Sequence, residues 1–179
     1  AWTSGIVLAW IIVIGGIFGY WMVWDEKARL VATLSARMIE SIPVFGLPLS
    51  INFARAENLT DQLFYIVLFI HFFSIVAVFL LLLIHLTRIT KAVITPPRPL
   101  IYGAITALFF VSFIKPALSA PPADLKMLPV SVPFDWFFMF IFPGLKYASA
   151  RALWVFIAAC TVIIGIVPWL SRVKRKPAV

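Results

Sequence analysis

His71 and His85 are the only histidines of this 179-residue chain, and they lie fourteen positions apart in one of its most apolar segments. At about 100° per residue, fourteen steps end about 40° short of four full turns, so both imidazoles project from one face of a helix. They stand about 21 Å apart along a helix that needs about 30 Å to cross a membrane, so one histidine is expected near each membrane surface. Neutral imidazole is a common axial ligand of haem iron, and this spacing suits two haems stacked across a bilayer.

A histidine in a spanning helix can also form hydrogen bonds between helices or relay protons. Here no charged residue separates the pair, which favours haem ligation at His71 and His85. Because the sequence holds no third histidine, bis-histidine haems would need their second ligands from a helix that this sequence does not contain.

Gly5 and Gly19 repeat the same fourteen-residue spacing in the first apolar run. A glycine leaves room where a flat macrocycle approaches the backbone, although glycine is also ordinary at close helix contacts. The matched spacing predicts one haem-contacting glycine per haem. Gly15 and Gly16 have no such partner and are predicted to be packing glycines.

The composition indicates an integral membrane protein, with 63% hydrophobic and 12% charged residues and a mean hydropathy of +1.06. Cys160 is the only cysteine, which excludes a disulfide framework, a Cys-rich metal site and covalent haem attachment. We predict an all-α fold with four transmembrane helices. The four apolar runs are Gly5–Trp24, Leu63–Leu86, Leu100–Leu118 and Ala152–Leu170.

The two longer loops are predicted to carry amphipathic surface helices. In the first loop, Leu30, Leu34, Met38 and Ile42 repeat at helical spacing, with Arg29, Thr33, Arg37 and Glu40 on the other faces. In the second, the run Phe134–Phe142 is too short to cross and is predicted to dip into the interface.

The distribution of charged residues predicts how the chain is oriented across the membrane. The segment after the second run and the C-terminal tail hold seven basic residues and no acid: Arg88, Lys91, Arg98, Arg172, Lys174, Arg175 and Lys176. These segments are therefore expected on the cytoplasmic side of a bacterial or archaeal inner membrane, or its organelle equivalent. The net charge of +8 then reflects topology, and no nucleic-acid partner is predicted.

The order of these motifs resembles cytochrome b of the cytochrome bc-type quinol-oxidising complexes over nearly the whole chain. The paired glycines followed by Tyr20 resemble the third helix of that family, and His71 and His85 match the H-x13-H of its fourth. Three further stretches resemble family segments: Ser41-Ile42-Pro43-Val44-Phe45-Gly46 its Ser-Ala-Ile-Pro-Tyr-Ile-Gly segment, and Pro121 to Pro129 with Pro133-Phe134-Asp135-Trp136-Phe137-Phe138 the loop that ends in Pro-Glu-Trp-Tyr.

The resemblance implies the third to sixth family helices, with a haem-binding half over residues 1–98 and a C-terminal half over 99–179. It implies two haem b groups, the low-potential one near His71 and the higher-potential one near His85. The family's first two helices are missing, so a companion chain would supply the opposing histidines. Membrane lipid, a quinol, a Rieske-type iron–sulfur protein and a c-type cytochrome are the other implied partners.

The resemblance also implies a quinol pocket at Asp135, Trp136 and Phe137. Asp135 stands for the family glutamate that takes a proton from quinol, although its arm is shorter and an extra Phe134 precedes it. A carboxylate in an apolar pocket would have a raised pKa, suited to this role, whereas an interfacial charge or a helix cap is the simpler interpretation. Arg88 could contact a haem propionate or a quinone, or simply anchor the cytoplasmic side.

Three functions therefore remain in competition. The first is a diheme cytochrome b subunit that oxidises quinol near Asp135. The second is a membrane anchor and haem electron conduit of another oxidoreductase, without electron bifurcation. The third, a haem-free scaffold or transporter, is disfavoured because transporters usually place more polar residues inside their spans.

Overall fold

The apolar runs of the sequence form the longest helices of the chain. A computed structural model describes residues 2–44, 50, 53, 55–88, 95–116, 118–127, 132 and 135–170. In this part of the chain the fold is all-helical, with no β-strand. The helices are α1 (Trp2–Val23), α2 (Glu26–Glu40), α3 (Asp61–Thr87), α4 (Arg98–Ile114) and α5 (Ala150–Leu170), with short 3₁₀ helices at Ala56–Asn58 and Phe142–Lys146.

Three helices, α1, α3 and α5, are long and apolar enough to cross a membrane, with 22, 27 and 21 residues. They indicate an integral membrane protein, as the composition predicts. The fourth predicted span, Leu100–Leu118, is only partly helical, because α4 stops at Ile114. Lys115 precedes Pro116, and the proline ring disfavours helical backbone at the residue before it. With 17 residues, α4 is about 25 Å long, at the short end of spanning helices.

Helices α1 and α3 form an antiparallel pair that packs through small residues. Ser74 is buried where α3 crosses Gly15, and a Cβ added to Gly15 would lie 2.6 Å from the Ser74 hydroxyl oxygen. Close backbone approach of this kind is how helices associate in lipid, where apolar burial alone gives little driving force. Gly15 is thus a packing glycine, as predicted.

Helix α2 begins directly after α1 because Asp25 caps it. The Asp25 Oδ1 atom accepts a hydrogen bond from the Ala28 amide at 2.7 Å, and Trp24 makes the turn with a φ of 52°. The buried side of α2 differs from the predicted Leu30, Leu34, Met38 and Ile42 stripe, because small residues let α2 lie close to its neighbours. Its buried residues are Ala28, Arg29, Val31, Ala32, Ser35, Ala36 and Met38.

Arg29, predicted on a polar face of α2, is 6% exposed and binds backbone carbonyls. Its guanidinium donates to the carbonyl oxygens of Leu125 and Met127 at 2.9 Å each, and also to those of Asp124 and Phe53. A buried cation is tolerated only when its donors are satisfied, and the five donors of arginine suit a cluster of carbonyls. Arg29 therefore fastens the 124–127 segment to α2.

Helix α5 is also antiparallel to α1, and tryptophan hydrogen bonds hold both of its ends. Near its start, Trp154 donates its indole hydrogen to the Met38 carbonyl oxygen at 2.8 Å. Near its other end, the Ile164 carbonyl oxygen accepts the indole hydrogen of Trp2 at 2.8 Å.

The second long loop does not form the predicted helix over Phe134–Phe142. Within the described part of that run, residues 135–141 form turns, and the 3₁₀ helix begins only at Phe142. The Asp135 carboxylate accepts hydrogen bonds from two amides here, as a helix cap would. Phe45 and Gly46, residues 128–131, Pro133, Phe134, Lys91 and the 171–179 tail, all used in the sequence predictions, lie outside the described residues.

Candidate functional site

Each predicted haem histidine lies against the glycine that shares its spacing. A Cβ built on Gly19 would lie 3.0 Å from Cε1 of His71, and one on Gly5 would lie 3.2 Å from Cε1 of His85. The two glycines and the two histidines are both fourteen residues apart. Because α1 and α3 are antiparallel, Gly19 therefore lies opposite His71 where Gly5 lies opposite His85. A methyl group at either glycine would press on an imidazole.

The Nδ1 atoms of both histidines have hydrogen-bond partners on α1. His71 Nδ1 lies 2.8 Å from the Gly15 carbonyl oxygen, and His85 Nδ1 lies 3.1 Å from the Ser4 hydroxyl oxygen. A carbonyl oxygen only accepts, so Nδ1 of His71 must carry the hydrogen, and the Nε2 lone pair of the neutral ring remains for a metal. A metal-binding histidine commonly donates its other ring N–H in this way.

Each histidine could hold the iron of a haem through its second ring nitrogen. No group of three or more His, Cys, Asp or Glu side chains that could hold a bare metal ion occurs among the described residues. A haem does not need such a group, because the porphyrin occupies four positions of the iron and the protein supplies axial ligands. Both histidines are half-buried, and each would supply one ligand, so a haem at either position would need a further ligand from another donor.

Arg88 lies at the end of α3, three residues after His85. Its backbone amide donates to the His85 carbonyl oxygen at 3.1 Å and ends the helix, while its side chain is exposed. The exposed guanidinium makes no contact within the described residues that would distinguish propionate binding from membrane anchoring.

Asp135 is joined to α1 at the same end as His71. The Tyr20 hydroxyl donates a short hydrogen bond to Asp135 Oδ2, and Oδ1 accepts from the backbone amides of Phe137 and Phe138 at 2.9 and 3.2 Å. Tyr20 directly follows Gly19, so the carboxylate and the His71 ring are linked through two consecutive residues of one helix.

The raised pKa expected of a carboxylate in an apolar pocket is not found. Partial burial acts to raise the pKa of Asp135, but hydrogen bonds from Tyr20 and two backbone amides, together with the positive charge of Lys27, outweigh it. The pKa is held below its usual value, so Asp135 is a carboxylate at neutral pH.

Trp136 and Phe137, predicted to line a quinol pocket, are 75% and 43% exposed. Neither they nor Asp135 line the apolar cavity of about 330 Å³ beside α1 and α2, to which this loop contributes Phe140, Ile141 and Phe142. Its lining is Trp10, Val13, Ile14, Ile17, Phe18, Trp21, Ser35, Met38, Ile39, Ile42, Phe140, Ile141, Phe142, Trp154 and Ile157. The only hydrogen-bonded side-chain pair in this lining is Trp21 with Ser35, at 3.2 Å between Nε1 and Oγ.

Gly16 positions the loop that carries Asp135. A Cβ on Gly16 would lie 2.0 Å from Cε1 of Phe138, so this ring rests directly on the backbone of α1. Gly15 meets α3 and Gly16 meets the loop, which is why both positions lack side chains. Two adjacent glycines can indicate close contacts on two sides of a helix. The sequence analysis predicts Gly16 as a packing glycine but does not identify Phe138 as its partner.

No protein-family model, curated protein or solved structure matches this chain.

Proposed function

We propose that this chain is a diheme cytochrome b subunit that moves electrons between a quinone pool and two b haems in a respiratory or photosynthetic complex. The observation that carries the proposal is the paired contact of His71 with Gly19 and of His85 with Gly5. Glycines that only pack helices together need not share the spacing of the two histidines. Two haems stacked across the membrane would need a histidine and a glycine at each of two levels, which is the arrangement seen here.

The residues of the chain have distinct tasks in this proposal. His71 and His85 each offer one ring nitrogen, and the Nδ1 contacts with Gly15 and Ser4 hold the rings in place. A haem b at each histidine supplies reversible one-electron chemistry. The glycines keep the backbone of α1 close to both rings.

A companion chain would supply the opposing histidines on the side of α3 that carries His71 and His85, beside its contact with α1. Val67 and Ser74 are the only buried residues that the structure describes on this helix. Its outer side carries large exposed apolar residues, including Phe69, Phe72 and Phe79. This outer surface suits lipid, because the rings of His71 and His85 point away from it toward α1.

A fourth membrane crossing and a cytoplasmic C-terminus belong to the proposal. The end of α3 lies near Gly5, while Pro121 and Asp124 contact the start of α2, at the far end of α1. The chain must travel back about 30 Å between them. Helix α4 can cover most of this distance, which supports a crossing of the membrane.

The quinol would bind in the apolar cavity beside α1 and α2, and Asp135 would take a proton from it. The cavity volume of about 330 Å³ is within the range of small-molecule sites. Asp135 already is a carboxylate and can accept a proton, although its low pKa makes it a weak base. Of the two electrons that quinol releases, one would pass to the haem held by His71 and the other to a Rieske-type iron–sulfur protein and then a c-type cytochrome, while both protons leave to the positive side.

The second candidate, a haem-bearing anchor and conduit without quinol oxidation at Asp135, is favoured by two observations. Trp136 and Phe137 are exposed, and the pKa of Asp135 is lowered. Both candidate functions need the same haem ligands. They differ only in whether the loop that carries Asp135 takes part in quinol oxidation.

The test is spectroscopy of the complex purified from its native membrane. Reduced-minus-oxidised spectra should show two low-spin b haems, and His71→Ala and His85→Ala should each remove one. Gly103→Ala is a matched control, because a Cβ there meets nothing within 4 Å. Spectra without b haem, or unchanged in both histidine variants, would exclude the proposal. A co-purified Rieske-type protein would favour quinol oxidation over the conduit.

A further inference from the structure

Lys27 contacts the tyrosine that holds Asp135. It lies in the first turn of α2, half-buried, and its Nζ atom is 4.9 Å from the centre of the Tyr20 ring. A cation within about 6 Å of an aromatic face is attracted to it, more strongly where water is partly excluded. Phe138 makes an edge contact with the same ring, with centroids 6.4 Å apart. Two contacts therefore fix the ring whose hydroxyl donates to Asp135.

Lys27 is also the cation that acts on Asp135 within the described part of the chain. The titratable groups acting on the carboxylate are Tyr20 from α1 and Lys27 from α2. Its own segment contributes the amides of Phe137 and Phe138, and Asp25, at the junction of α1 and α2, acts on Tyr20. Removing Lys27 would remove the one positive charge from this group.

We propose that Lys27 is a positioning residue for proton uptake at Asp135. Its ammonium holds the Tyr20 ring where the hydroxyl can donate to the carboxylate, and its charge favours the ionised form. When a quinol O–H bond breaks and its proton bonds to a carboxylate oxygen, the charge that Tyr20 and Lys27 stabilise is cancelled. Lys27 therefore lowers the pH at which Asp135 becomes protonated. The inference rests on the proposed function, in which Asp135 is the proton acceptor.

The experiment is an infrared pH titration of the Asp135 carboxylic acid band in the whole complex, with the band assigned by its loss in Asp135→Asn. Lys27→Met should raise the titration midpoint, because the positive charge that favours the carboxylate is gone. Lys27→Arg keeps the cation and should stay close to the wild type. Lys126→Met removes the same charge from an exposed position and should have no effect.

A second comparison separates positioning from charge alone. In a Tyr20→Phe background the hydroxyl is gone, so the further shift caused by Lys27→Met should be smaller. A shift of undiminished size would overturn the positioning role, and no shift in Lys27→Met would overturn the whole inference. The titration needs no quinol turnover, so the expected shifts in a complex that does not oxidise quinol would refute the proposed reaction alone.

Discussion

His71 Nδ1 donates its hydrogen to the backbone carbonyl oxygen of Gly15 across 2.8 Å. A carbonyl cannot reverse the bond, so the tautomer and the ring orientation of His71 are fixed together. His85 has a weaker restraint, because the Ser4 hydroxyl 3.1 Å from its Nδ1 can donate or accept. The two imidazoles are thus held unequally, one by a rigid backbone and one by a side chain.

This difference predicts a selective effect of Ser4→Ala. In the proposed diheme subunit, loss of the hydroxyl should shift the midpoint potential of the haem at His85 or weaken its retention about 10-fold, because the hydroxyl orients the ligand. The haem at His71 should be unchanged. A potentiometric titration of the membrane complex would measure both, and Thr3→Ala, at the exposed neighbouring position, is the control. Equal shifts of both haems would contradict the unequal restraint.

The glycine contacts predict that Gly→Ala substitutions, which ordinarily stabilise a helix, will disturb the histidine rings at Gly5 and Gly19. In a helix, Gly→Ala is stabilising by about 1 kcal/mol, yet at Gly19 the new Cβ would lie 3.0 Å from the His71 ring. Gly19→Ala and Gly5→Ala should each broaden or shift one haem band, with the larger effect at Gly19. Gly165→Ala, which meets nothing within 4 Å, should leave the spectra unchanged. Wild-type spectra in Gly19→Ala would show that no tight contact exists there.

Removing the Arg29 guanidinium should loosen the second long loop. Arg29→Met leaves the partly buried carbonyls of Leu125 and Met127 without this donor, which should cost about 1 to 3 kcal/mol. The stability of Arg29→Lys should lie between that of the wild type and that of Arg29→Met, because an ammonium cannot reach all the carbonyls. Thermal unfolding and limited proteolysis near residue 125 would measure the effect. Arg37→Met, on the exposed side of α2, should match the wild type, and equal loss in both variants would contradict the clamp.

Asp135 predicts a pH dependence of stability with a definite sign. Its folded-state pKa lies below the unfolded value of about 3.9, so its contribution is present above that pH and is lost as the pH falls through the folded-state pKa. Asp135→Asn keeps an oxygen for the amides but removes the charge. The difference in melting temperature between wild type and variant should therefore be largest near neutral pH and shrink on acidification. A difference in melting temperature that grows below about pH 4 would show that the pKa of Asp135 is raised in the folded state, which would contradict this prediction.

Much of the scaffold could be predicted because apolar length and fourteen-residue spacing are local properties of the sequence. The bounds of α1, α3 and α5 follow the apolar runs, and the spacing of Gly5 and Gly19 places them opposite the histidines. The prediction of their haem contacts remains untested.

The loop could not be predicted in the same way, because its partners are distant in sequence. Arg29 is charged and is predicted on a polar face, yet three of its four acceptors are carbonyls about 95 residues away, which no residue pattern marks. Likewise, the pKa of Asp135 depends on Tyr20, 115 residues earlier. The same loop turns Trp136 outward, so a motif match alone could not tell which aromatic side chains line the cavity.

The contacts between α1 and α3 have a consequence for the order of biogenesis. All three glycine contacts with α3, at Gly5, Gly15 and Gly19, are made by side chains no later than His85. A nascent chain that has released residue 87 from the ribosome already holds both partners of every such contact. The pair of α1 and α3 can thus assemble during translation, before α5 emerges, and in the proposed diheme subunit haem loading would not wait for the loop that carries Asp135.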